Sequence, residues 1–346
     1  MKMKKLSKIL ILVLSVALIC TGLVFAVSAE DEAPTFDLKT AISNASAGST
    51  IVMTGNADLS KAAGVDGDYG ISINKNLTID LNGYTINAPD THRVFNMNTA
   101  NVRFIITGSG TINVGGALIF MGQDKDGTSG GIIGTGNGIT INHTGTGTKK
   151  DGTTVQKMFF GANRGEYTFK NMTLNTTSTG DYLFKNNSSA INTSMNFVDV
   201  EINATAKSAG GKVAVFCPNL KGSISLNYCR ITTMGHSLFG VPNTQTEKVE
   251  NYLVVNNSYI KLSYGSGSCP TLLYISGDGS GDLASDVVFN NSYVSFNSQV
   301  LANHNHNGSA IIFRNTGIHY NGKQGNLFRS MNVRLEDGSY IPGNHT

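Results

Sequence analysis

The chain has 346 residues with 40 Gly, 16 Phe, 12 Tyr and no Trp, and its 26 Lys and Arg face 23 Asp and Glu. Four of the lysines lie in residues 1–29, which hold no acid, so the rest carries 22 basic against 23 acidic residues and is nearly neutral. That balance excludes a basic stripe for nucleic acid. The wealth of Gly, Asn, Thr and Ser excludes a helical protein and points to turns and closely stacked small residues.

Residues 1–8 are basic, residues 9–27 form an apolar run, and Val27-Ser28-Ala29 supplies the small residues of a cleavage site. This pattern predicts a secretory signal peptide over residues 1–29 and an exported domain over residues 30–346, with a retained membrane anchor as the alternative for so long a run. Ile19 stands before Cys20, where lipidation needs a small residue. No second apolar run of spanning length follows, so no membrane contact is expected once the leader is removed. Cys217, Cys229 and Cys269 then remain. An odd count argues against a full disulfide framework; the three read as small core residues, with one bridge plus a free thiol left open.

Residues 36–47 place Leu38, Ala41, Ile42 and Ala45 on one helical face, with Asp37 as a cap and Gly48 as a stop. Ile51-Val52-Met53 follows as a strand. This unit, about residues 35–53, suits the blunt end of a stacked structure, where it covers backbone groups that otherwise invite pairing.

From Thr78 onward one phrase recurs: a short strand, a tight polar turn and a second short strand. It is plainest in residues 287–296 (VVFNNSYVSF) and 253–262 (LVVNNSYIKL). The aliphatic residue after the turn recurs as Ile86, Ile112, Ile141, Leu174, Ile202, Ile231, Ile260, Val294, Ile318 and Ile341, about every 28 residues. Between each pair falls a large apolar residue in a separate strand: Phe95, Phe120, Phe160, Phe184, Phe216, Phe239, Tyr274, Leu301 and Phe328. Two series with matched period and order mean repeated units stacked over a shared core. The units lack helical spacing, which leaves an all-β coil: a parallel β-helix with three short strands per coil, about ten coils, and the N-terminal helix as its cap.

The turn carries Asn82-Gly83, Gly108-Ser109, Asn137-Gly138, Lys170-Asn171, Asn227-Tyr228, Asn256-Asn257, Asn290-Asn291, Arg314-Asn315 and Asp337-Gly338. Such residues tolerate positive φ, and stacked Asn side chains can bond along the column. The rung at Val198-Asp199 fits less well. Insertions at residues 122–138, 143–157, 204–211 and 264–270 are expected to be loops outside the coil.

The leader LKTAI…AGSTIV and the phrase LTIDLNGYTI (residues 77–86) resemble the capping helix and early rung of the right-handed, single-stranded parallel β-helix of the pectate-lyase-like superfamily. The resemblance covers residues 35 to the end and implies fold rather than activity, because the superfamily holds lyases, hydrolases, adhesins and inert scaffolds. Its enzymes draw several carboxylates from adjacent rungs, and no such motif matches here position by position.

Asp278, His304 and Arg329 each closely follow one of the large apolar residues and form the nearest approach to an acid–base set, although ordinary turn residues explain them as well. Asp124, Asp126, Asp278 and Asp282 have the flavour of a calcium loop without its full ligand series; no cofactor is expected otherwise. His304 and His306 lack the further ligands of a zinc site. Tyr259, Tyr293 and Tyr340 flank the aliphatic series, so with Ile260, Val294 and Ile341 inward they point outward on one sheet. Repeated exposed rings can stack on sugars; β-propensity is the plainer account of them. Earlier coils place Thr-Ile-Asn there instead.

Two functions follow from the residues: a non-catalytic exported module that binds a polysaccharide or cell-surface glycan, as an adhesin-like scaffold would, or an enzyme cleaving acidic, pectin-like polysaccharide. Scarce paired acids favour the first. The last coil stands five residues from the C-terminus without a capping segment, so association through that end, or a continuation, is expected.

Overall fold

The computed structural model describes residues 34–60, 70–121, 127–149, 152, 155–162, 164–180, 182–186, 193–205, 214–218, 221–241, 245, 247–263, 271–275, 283–296, 309–320 and 332–341. A helix over Leu38–Asn44 opens the fold. The Asp37 carboxylate accepts from Thr40 N at 3.0 Å, and Leu38 and Ile42 are buried. The helix stops at Ala45, before the expected Gly48, where Ala45 turns to extended backbone and Lys75 Nζ donates to Ser43 O and Ala45 O at 3.0 and 2.6 Å. A cation there satisfies carbonyls that lack helical partners.

Beyond the helix, the described residues form chiefly a parallel β-solenoid with three faces. The first runs from Ser49–Val52 and Leu77–Asp80 through Ser223–Asn227, Leu253–Asn256, Val287–Asn290 and Ala310–Arg314 to Asn332–Glu336. The second runs from Thr85–Ala88 through Arg230–Met234, Tyr259–Ser263 and Tyr293–Phe296 to Gly317–Tyr320. In the middle of the chain, strands such as Gly165–Thr176 and Thr193–Ala204 cross the bend and serve both faces. The third face stacks Arg93–Met97, Ala117–Met121, Phe160–Ala162, Tyr182–Asn186, Ala214–Cys217, Ser237–Val241 and Leu273–Ile275. Every pairing within a face is parallel and joins a strand to its equivalent one rung away.

The bend between the first and second faces is a residue in the left-handed region: Asn82, Asn171, Asp199, Tyr228, Asn257, Asn291, Asn315 and Asp337, all with φ between 45° and 57°. Asp199 belongs to this set because Asp, like Asn, visits that region at low cost. In the later rungs a hydroxyl ladder follows the bend, buried at Ser258, Ser292 and Thr316. Ser258 Oγ accepts from Cys229 N at 2.9 Å and donates to Asn256 O at 2.7 Å. Ser292, Thr316 and Ser339 repeat the first contact one rung at a time.

Inside, the aliphatic series stacks in strict register from Ile86 to Ile318 and is 0–1 % exposed throughout. Phe160, Phe184, Phe216 and Phe239 stack on the third face, with Phe184 and Phe216 ring centroids 5.5 Å apart. Phe169 and Phe197 stack at 4.6 Å on the first face and meet them edge-on, as at 5.0 Å between Phe184 and Phe197. Two members of the series are displaced by one residue. Ile119, not Phe120, pairs with Phe95 and Phe160, and Phe120 lies outward under Arg93 at 3.4 Å. Leu273, not Tyr274, pairs with Phe239. Period-2 alternation turns a one-position offset into a change of face. Leu301 and Phe328 lie outside the described residues.

The expected loop over residues 122–138 is strand from Thr128 onward, within Thr128–His143. Its glycines permit close stacking: a Cβ on Gly131 would come within 1.8 Å of Thr168 O. The insertion at residues 143–157 does leave the coil and forms a small antiparallel pair, Gly147–Thr148 with Val155–Gln156.

Two predictions follow from the core. Phe184→Ala is expected to cost about 3–5 kcal/mol, whereas Phe120→Ala costs about 1 kcal/mol; denaturant titration compares them, and equal costs would contradict the register given above. His143 and His236 are 2 % and 0 % exposed, and burial depresses their pKa values to about 3 and about 4. Between an unfolded value of about 6.5 and those values the unfolded chain binds the extra protons, so stability falls as pH falls across that window and levels off below it. His143→Gln should flatten that slope by up to about 1.4 kcal/mol per pH unit relative to the parent, read from denaturation at pH steps from neutral to acid.

Candidate functional site

The second face presents two outward lines of side chains. One reads Thr85, Thr111, Thr140, Thr173, Glu201, Arg230, Tyr259, Tyr293 and Gly317, and a bridge continues it from Gly317 to Tyr340. The other reads Asn87, Asn113, Asn142, Asn175, Asn203, Thr232, Lys261, Ser295 and His319. The Thr-Ile-Asn phrase thus places Ile inward and flanks it with the two lines. Side-chain amides of the five asparagines donate to one another from rung to rung at 2.7–3.3 Å. A second amide ladder, from Asn196 through Asn227 and Asn256 to Asn290, runs along the end of the first face at 2.8–3.2 Å.

The tyrosines lie where the alternation puts them. Tyr259 and Tyr293 stack with centroids 5.5 Å apart and planes 12° from parallel. The Arg230 guanidinium continues the stack 4.8 Å from the Tyr259 centroid. Tyr293 leans over Gly317, where an added Cβ would meet its Cδ2 at 3.1 Å, and its hydroxyl reaches His319 Nδ1 at 3.1 Å. Tyr293 and Tyr340 are 39 % and 62 % exposed. Arg230, Gly317 and His319 escaped the sequence reading, because only rung register shows that they border the tyrosines.

Beside this stack, at the bend, lies a cleft of about 270 Å³ lined by Asn171, Thr173, Asp199, Glu201, Tyr228 and Arg230 among others. The Asn171 amide donates to Gly136 O at 3.3 Å, and Asn203 donates to the Glu201 carboxylate at 3.2 Å. A shallower groove of about 570 Å³, where the chain enters the first face, carries Arg164, Glu166, Lys221 and Glu250. Lys221 pairs with Glu247 at 3.1 Å, so its charges are of mixed sign.

Asp278, His304 and Arg329 lie outside the described residues, as do Asp124, Asp126 and Asp282. Among the described residues no three His, Cys, Asp or Glu are grouped to hold a metal, and no helix is long and apolar enough to cross a membrane. Cys217 and Cys229 are free and buried. Burial pushes their thiols up to about 12 and about 11. Cys229 occupies the first position of the hydroxyl ladder, its Sγ 3.4 Å from Asn227 O. Cys269 lies outside the described residues. In the native protein Cys217 and Cys229 should resist a thiol reagent and label only after denaturation, as read by peptide mass spectrometry.

Comparisons with family models, with curated proteins and with solved structures returned no match to this chain.

Proposed function

We propose that this chain is an exported, non-catalytic β-helix module that binds a polysaccharide or cell-surface glycan along the outward surface of its second face. The observation that carries this reading is the stack of Arg230, Tyr259 and Tyr293, continued in register by Gly317 and Tyr340. Aromatic rings with polar tips meet the apolar faces and the hydroxyls of a sugar together. Rungs about 4.8 Å apart suit a glycan lying along the solenoid axis, with successive residues meeting successive rungs. The charged leader with its apolar run and small-residue site supports export. The capping-helix and early-rung phrases support kinship with the pectate-lyase-like β-helices, whose scaffold serves binding as well as cleavage.

The test is retention on a panel of insoluble polysaccharides, neutral and acidic. The parent is expected to be retained by at least one. Tyr259→Ala/Tyr293→Ala/Tyr340→Ala should lose retention, each ring contributing roughly 0.5–1.5 kcal/mol, with the melting temperature little changed. Retention of the triple variant equal to the parent would reject the surface. Unsaturated-product absorbance on incubation with acidic polysaccharide would reject the non-catalytic assignment.

A further inference from the structure

The cleft at the bend holds a feature the stack does not explain. Among the described residues every other non-glycine residue with positive φ is Asn or Asp; Tyr228 alone, at φ 57°, is bulky. A bulky side chain is strained in that region, and strain of this kind persists where the surroundings enforce it. Tyr228 lies outside the core, the residue being 65 % exposed. Its backbone is held by the rung above, Tyr228 N donating to Asn256 O at 3.1 Å. The result is a solvent-facing ring standing at the wall of the cleft.

Around that ring the register gathers complementary hydrogen-bonding groups. Asp199 occupies the bend one rung from Tyr228, and Glu201 pairs in register with Arg230. Asn171 occupies the bend one rung further on. Carboxylates accept only, a guanidinium donates only, and an amide does both. Together with an aromatic ring they match a pyranose, which offers hydroxyl donors and acceptors around its rim and C–H groups on its faces. The volume of about 270 Å³ falls below the ~300–1,000 Å³ of drug-sized sites, which limits the occupant to about one ring. Two carboxylates against one guanidinium disfavour a uronate, so the fit is to a neutral sugar.

We infer that this cleft is a binding site for a single neutral pyranose residue, distinct from the faces of Tyr259 and Tyr293 although it shares Arg230 with their stack, and walled by Tyr228, Asp199, Glu201, Arg230 and Asn171. It takes a chain end or side branch. The inference stands whether or not a polymer lies along the second face.

The test uses saturation-transfer NMR on the full chain with methyl glycosides of glucose, galactose and mannose, and with glucuronate. A saturable signal is expected from at least one methyl glycoside and a weaker one from glucuronate. Tyr228→Asn should weaken it by about tenfold or more, while its melting temperature equals or exceeds the parent's, because Asn accepts the left-handed bend. Loss of binding therefore cannot be ascribed to unfolding. Glu201→Gln should weaken binding likewise, whereas Tyr293→Ala/Tyr340→Ala, which leaves the Arg230–Tyr259 contact in place, should retain it. No saturable signal from any methyl glycoside, tighter binding of glucuronate, or equal binding by Tyr228→Asn would each overturn the assignment. Loss of the signal in Tyr293→Ala/Tyr340→Ala would place the sugar on the tyrosine stack and overturn it too.

Discussion

Parallel hydrogen bonding between each strand and its equivalent one rung away is the constraint on which the rest depends. It turns sequence positions about 28 apart into neighbours, so each side chain meets the residue at the equivalent position above and below. A slip of one residue would invert the inside and outside of an entire rung. The left-handed residue at the bend fixes that phase. From Asn171 to Asn315 it starts the second face at a constant offset from the first, whereas the register shifts at Gly108–Gly110 and between Ile133 and Ile139 change that offset in earlier coils. The hydroxyl ladder then secures the next N–H of the bend through Ser258, Ser292, Thr316 and Ser339.

The same repetition settles where polar groups go. A solenoid places amides and hydroxyls in rows, and a row of asparagines can satisfy itself if each carbonyl accepts from the next amide. One such row runs on the second face from Asn87 to Asn203, and another along the end of the first face from Asn196 to Asn290. The overlap of the two rows near residues 196–203 coincides with the change in the outward line from threonine to Glu201, Arg230 and the tyrosines. One scaffold thus carries an uncharged hydroxyl–amide surface and, further along the same sheet, a charged aromatic one.

The mixed surface gathers aromatic and charged side chains on neighbouring rungs. Tyr259 and Tyr293 stack on each other because the register sets them one rung apart, and Gly317 leaves room for Tyr293 to reach His319. Arg230 belongs to the stack and to the cleft alike, which joins an extended surface to a pocket sized for one ring. Charge enters on adjacent rungs with opposite sign, Glu201 then Arg230, so neither surface forms a single-sign field that would draw polyanions.

The period of the aliphatic residues, the Asn and Gly at the bend and the alternation around Ile260 and Val294 were sufficient to read the stacked coil, its inward line and the outward tyrosines, because these features are local and repeat. The phenylalanine line was read correctly from Phe160 to Phe239 and missed by one position at Phe120 and Tyr274, where adjacent apolar residues gave alternation nothing to decide between. Asp199 looked a poor bend residue until the rungs on either side held it in the same conformation as asparagine. Arg230 over Tyr259, Gly317 beneath Tyr293 and the cleft beside Tyr228 were beyond the sequence. Each depends on which residue of one rung faces which residue of the next, and in a coil with insertions of unequal length only the paired backbone fixes that.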